Sequence, residues 1–141
     1  MYTPVSSRVA SAYRQVGVQS VVDGASPHML IQMLFDGLLQ SLNAARGALQ
    51  RGEIDEKGRQ LGKAGRILEE GLKAGLNANQ GGELAGNLSA LYDYCCNRLM
   101  LANLRNDLAL IEEVVGLITP IAQSWGQIGT NPAASARNGG I

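Results

Sequence analysis

SPHMLIQMLFDGLLQSLNAARGALQ, residues 26–50, decides the fold class. Ser26 is a residue suited to cap a helix, and Pro27 follows at the first helical position, where a missing N–H removes no hydrogen bond. Leu30, Leu34, Leu38, Leu42, Ala45 and Leu49 then recur at steps of three and four, with Ile31 and Phe35 widening the stripe. That period is helical, and Gly52 marks the stop. The stretch therefore predicts an amphipathic helix over 27–50 that presents one apolar face to a core.

The same period continues through most of the chain. Asp55 is placed to cap a second helix over about 55–78, whose apolar positions are Leu61, Ala64, Leu68, Leu72 and Leu76. Gly58, Gly62, Gly65, Gly71 and Gly75 lie within it, each less favourable than Ala by about 1 kcal/mol in a helix interior. Two explanations stay open: another helix approaches closely along that face, or the helix is soft and adapts to a partner. Asn77 to Gly82 is turn chemistry, and Glu83 opens a third helix reaching about Leu104. Asn106-Asp107 supplies a turn and cap for a fourth, with Leu108, Ile111, Val115, Ile118, Ala122 and Trp125 as its seam. Pro120 predicts a kink or an early end near Ile118 or Thr119, since a mid-helix proline removes a hydrogen bond and clashes with the preceding turn.

No segment alternates as a strand does, and aromatic residues make up only 4% of the chain. The reading is all-α: an antiparallel four-helix bundle over 25–126, because short connections force neighbouring helices to run in opposite directions. Residues 1–24 are an N-terminal cap segment outside the bundle, in which 5–16 read as a short helix with Val9, Ala12, Tyr13 and Val16 on one side, too small to stand alone and expected to lie against the bundle. Residues 127–141 are small, polar and glycine-rich and read as a flexible tail.

At 141 residues the chain suits one bundle with its appendages. The 12 basic and 12 acidic side chains balance and are scattered, which disfavours a nucleic-acid binder. Unbroken apolar runs are only a few residues long and the first residues lack a signal-peptide core, so direct membrane insertion and secretion are not expected; the cytosol is. Cys95 and Cys96 are adjacent, a poor disposition for a disulfide, and read as reduced core thiols.

Catalytic and metal chemistry find no footing. The chain has one histidine, His28, in the first turn of a helix, where it reads as a solvated surface residue. Zinc needs spaced ligands and a di-iron bundle needs two Glu-x-x-His pairs, so neither a metal nor a cofactor is expected. The acidic pairs Glu69-Glu70 and Glu112-Glu113 read as surface charge. An enzyme is not indicated.

The third helix is the informative one. Of the 17 residues 88–104, twelve are apolar, while Ser89, Asp93, Asn97 and Asn103 fall within one stripe of roughly 120° at about 100° per residue. A core-facing stripe need be only slightly wider than about 100°. Something else should cover the surplus: the N-terminal segment, a second copy of the chain, or a partner.

Four successive blocks, ASPHMLIQMLFDGLL (25–39), KAGRILEEGLKAGLN (63–77), GGELAGNLSALYDYCCNRLMLANLRND (81–107) and IEEVVGLITPIAQSW (111–125), resemble in order the signature blocks of the FliS-type flagellar export chaperones. The resemblance runs from about residue 1 to residue 125. It implies a four-helix bundle with an N-terminal helical segment. It also implies a cytosolic protein that binds the disordered C-terminal segment of flagellin, prevents its premature polymerisation, and delivers it to the flagellar type III export apparatus. An anti-sigma factor is a further partner in some members. The N-terminal tyrosine segment of that family covers apolar surface on the bundle; by position its counterpart here is SAYRQVGV, so the resemblance assigns that role to Tyr13, with Val9 the only bulky aliphatic one turn earlier. The candidate groove lies on the third helix at Leu91, Tyr94, Arg98 and Leu101, bordered by Ile67 on the second. A client segment that becomes helical on binding suits such a surface. A monomer or weak dimer is expected; the alternative is a helical-bundle protein whose wide apolar face makes a permanent homodimer without a flagellin client.

Overall fold

The computed structural model describes residues 26–79 and 82–130, and all regular structure in them is helical. Helix α1 is Pro27–Gln50. Helix α2 has three consecutive segments: α-helical Ile54–Arg66, π-helical Ile67–Lys73 and α-helical Ala74–Asn79. Helix α3 is Glu83–Arg105 and α4 is Leu108–Thr130. The N-terminal segment with Val9 and Tyr13 lies outside the described residues, as do residues 131–141 of the expected tail.

The ends of α1 follow from local chemistry. The Ser26 hydroxyl accepts from the Met29 amide at 3.1 Å, and Pro27 occupies the first turn. At the other end Gly52 adopts φ +77°, which only a residue without Cβ takes readily. The Glu53 amide then donates back to the Ala48 carbonyl at 2.8 Å and the Gly52 amide to that of Leu49 at 3.1 Å, a complete Schellman closure. This closure hands the chain directly to α2, so Glu53 stands at the cap position without a side-chain cap bond, and Asp55 falls inside the first turn instead of capping it. At the α3–α4 corner Asn106 takes the left-handed conformation and the Asp107 carboxylate accepts from the Ala109 amide at 3.0 Å, as the sequence predicts.

Neighbouring helices in sequence are neighbours in space. α1 packs on α2 and α4, and α3 packs on α2 and α4. His28 at the start of α1 meets Trp125 near the end of α4, and Lys57 early in α2 meets Asn103 late in α3, so these neighbours run antiparallel. Leu34, Leu38 and Leu42 of α1, Leu61 and Leu68 of α2, Cys95 and Leu99 of α3, and Ile111, Val114 and Ile118 of α4 form one core. The registers shift slightly from the sequence reading: Ala48 is buried where Leu49 is only half-buried, and Val114 takes the central position while Val115 sits at its edge.

Two corrections concern rigidity. The glycines of α2 do not all mark close packing: a Cβ on Gly65 would meet nothing within 4 Å, whereas one on Gly71 would stand 3.0 Å from both Leu34 methyls. Gly71, inside the π-helical turn, is thus a point of close approach, with Ile67 reciprocally reaching to 3.5 Å from the Cβ position of Gly37. Second, α4 continues through Pro120 to Thr130, beyond residue 126 where the sequence places the tail. Pro120 and Gly116, whose carbonyl loses its usual amide donor, are both exposed, and the Thr119 hydroxyl donates to the Val115 carbonyl at 2.7 Å. Separately, α4 is long and apolar enough to cross a membrane by length and composition alone. Its central positions Ile111, Val114, Ile118 and Ala122 are spent on the core, and it carries Glu112 and Glu113, so it is a core helix of the bundle.

Candidate partner-binding surface

Helix α3 is held to both neighbouring helices by polar contacts. Towards α2, Lys73 Nζ donates to Asp93 Oδ1 at 2.7 Å and lies 3.7 Å from Glu69. At the C-terminal end the buried Lys57, 3% exposed, donates to both the backbone carbonyl and the side-chain Oδ1 of Asn103, at 2.9 and 2.6 Å. An ammonium there satisfies a last-turn carbonyl and complements the negative end of the α3 dipole.

Towards α4 the contact is a three-residue cluster. Tyr94 and Arg98 stand one turn apart on α3 and both reach Glu113 of α4. The Tyr94 hydroxyl donates to Glu113 Oε2, Arg98 Nε donates to Oε1 at 2.8 Å, and the guanidinium carbon lies 5.5 Å from the Tyr94 ring centroid. The Tyr94 and Arg98 hydrogen bonds hold the Glu113 carboxyl below its ordinary range, and the bond to Glu113 raises Tyr94. Around the cluster Leu91 and Leu101 of α3 are half-buried against the core, as are Leu117 and Ile121, which follow Glu113 at four-residue steps on α4.

The structure thus brings Leu91, Tyr94, Arg98 and Leu101 to one seam but leaves Ile67 out of it. Ile67 is 1% exposed, packed into the core towards Gly37 of α1, three residues after the buried Ala64 and at the start of the π-helical turn. Sequence reasoning missed Glu113, Leu117 and Ile121. The signal for Glu113 was thin: an acid beside another acid reads as solvated charge, and only the α3–α4 register pairs it with Tyr94 and Arg98. Elsewhere on α3, Met100 and Leu104 stand 66% and 78% exposed, the surplus apolar surface that the composition of this helix anticipates.

His28 is not the solvated residue expected. Its ring stacks on Trp125 and each of the two side chains bonds the other residue's backbone, so it ties α1 to α4. Burial pushes both thiols, Cys95 and Cys96, up to about 11, which keeps them protonated and poorly nucleophilic. No cluster of three or more metal-ligating side chains occurs among the described residues.

These features define a class: a four-helix bundle with a half-open apolar seam spanned by a small polar cluster. A family model described as flagellar protein FliS matches residues 9–132. Among curated relatives, the flagellar secretion chaperone FliS of Salmonella typhimurium is 55% identical over 124 residues, covering 88% of this chain and 90% of its own length. The flagellar secretion chaperone FliSB of Pseudomonas aeruginosa is 46% identical over 113 residues, with 80% and 89% covered. FliS of Escherichia coli K12 is 43% identical over 120 residues, with 85% and 88% covered. The chain belongs to the FliS family of flagellar secretion chaperones, proteins that are not enzymes.

Proposed function

We propose that this chaperone acts in the cytosol on flagellin, binding its disordered C-terminal region, keeping it from polymerising, and passing it to the flagellar type III export apparatus. The observation that carries the reading is the α3–α4 seam, where Leu91, Tyr94 and Leu101 remain only partly covered beside Leu117 and Ile121. A segment that is apolar on one face and disordered when free gains a template there for folding as an amphipathic helix. The ordering cost offsets part of the contact energy and keeps release feasible. In this reading the N-terminal segment with Val9 and Tyr13 covers apolar surface until the client arrives, and an anti-sigma factor is a secondary partner.

Calorimetric titration with a peptide from the C-terminal region of the cognate flagellin, followed by circular dichroism of the mixture, tests the reading. One-to-one saturable binding with helix gained beyond the sum of the components is expected. Folded chaperone that shows no binding at high micromolar peptide overturns it, and a concentration-independent dimer by light scattering would then favour a client-free assembly role.

A further inference from the structure

Arg98 is held by one of its nitrogens only. Its Nε donates to Glu113 Oε1 and its guanidinium lies over the Tyr94 ring, while its two terminal nitrogens make no hydrogen bond among the described residues. The side chain is nevertheless only 31% exposed. An arginine fixed by its Nε edge and by a ring face has lost much of its rotamer freedom already, and its remaining donors form a fork that matches a carboxylate. Tyr94 spends its hydroxyl on Glu113 Oε2, so both carboxylate oxygens of Glu113 are engaged in the cluster.

We propose that Glu113 is a positioning residue for client capture: it holds Arg98 across the Tyr94 ring so that the terminal guanidinium nitrogens take a carboxylate carried by the apolar helical segment that enters the α3–α4 seam. This rests on the reading above that the seam receives the client. The apolar part of the recognition comes from Leu91, Leu101, Leu117 and Ile121, which are sequence-tolerant contacts. The carboxylate fixes register, because a fork in a partly dry seam pairs well with an acid at only one position along the helix. The other charges near Arg98 are acidic, Glu113 and Asp107, and neither occupies the terminal nitrogens.

The test is a double-mutant cycle by calorimetry with a peptide from the flagellin C-terminal region. Glu113→Ala is expected to weaken binding by about 3–10-fold, the range for leaving one long side chain to be immobilised on binding. Arg98→Ala should weaken it at least as much, the double variant no more than Arg98→Ala alone, and Arg98→Lys should not restore it, since a point charge lacks the fork. In the peptide, replacing each Asp or Glu in turn by its amide should identify one position that matters with the wild type and is silent with Arg98→Ala. Independent, additive losses overturn the proposal, as does unchanged or tighter binding by Glu113→Ala, or the absence of any sensitive acid in the peptide. If the Ala variant does not fold by circular dichroism, Glu113→Gln replaces it, and the Arg98 Nε–H signal in the client-free protein should exchange faster in that variant. Wild-type chaperone that fails to bind the peptide at all refutes the flagellin reading itself, a result distinct from normal binding without coupling.

Discussion

The imidazole Nε2 of His28 donates to the carbonyl oxygen of Trp125 at 2.8 Å, and the indole Nε1 of Trp125 donates to the carbonyl of His28 at 3.0 Å. The rings stack 4.7 Å apart at 8° between their planes. Residues at opposite ends of the described chain thereby close the bundle, and the C-terminal part of α4 is fastened beyond Pro120.

Removing one side of this reciprocal pair should cost more than an ordinary surface change. His28→Ala is expected to lower stability by about 1–2 kcal/mol, from one lost hydrogen bond and the stacked area. Trp125→Phe keeps a ring and should cost about 1 kcal/mol. Urea unfolding followed by circular dichroism reads both, and near-wild-type midpoints would show that the pair adds nothing to the packing of α4.

Two glycines of the same helix should respond with opposite signs. Gly71→Ala forces a Cβ to within 3.0 Å of both Leu34 methyls and is expected to destabilise by about 1–3 kcal/mol. Gly65→Ala meets nothing within 4 Å and should stabilise by about 0.5–1 kcal/mol through helix propensity. Thermal unfolding of the pair decides whether the π-helical turn marks a true contact with α1.

Lys57 and Asn103 should be coupled. Lys57→Met retains the apolar stem but strips the donors from the Asn103 carbonyl and side-chain oxygen, with an expected loss of about 1–3 kcal/mol. Asn103→Ala removes only the side-chain acceptor. A double variant whose loss equals the sum of the two single losses would show the ammonium acting elsewhere.

Glu113 predicts an acid-side response. Its folded value is depressed by the bonds from Tyr94 and Arg98, so the stability it contributes is complete above the ordinary carboxylate value of 4.5 and is lost as the pH falls through the lower folded value. The difference in Tm between wild type and Glu113→Gln should therefore be widest near neutrality and shrink progressively as the pH falls below the ordinary carboxylate value. A difference that stays constant over that range would mean the carboxylate charge is not what holds the cluster.

Leu101 and Met100 separate seam from surface. Leu101 is half-buried against the core, so Leu101→Glu should destabilise the bundle by about 2 kcal/mol as well as weaken client binding, whereas Met100→Glu, at a position 66% exposed, should leave stability within about 0.5 kcal/mol. Equal stability of the two variants would place Leu101 outside the core contacts described above.

Much of this protein was open to reading from its residues alone. The Ser26-Pro27 start, the Gly52 stop and the Asn106-Asp107 corner depend on contacts within a few residues, and the helical periods state which face of each helix seeks a core; local sequence carries both kinds of information. Four ordered sequence blocks are enough to identify the family. Tertiary structure decided what depends on register between helices: that Ile67 turns inward where α2 takes up the π-helical turn, that Gly71 and not Gly65 is the close approach, that His28 is committed to Trp125, and that Glu113, far from Tyr94 and Arg98 along the chain, joins them across the α3–α4 seam. Hydrophobic patterning specifies the buried face of a helix, but it is nearly indifferent to sliding one helix along another. The polar side chains that meet across a seam are settled only when the whole core has packed.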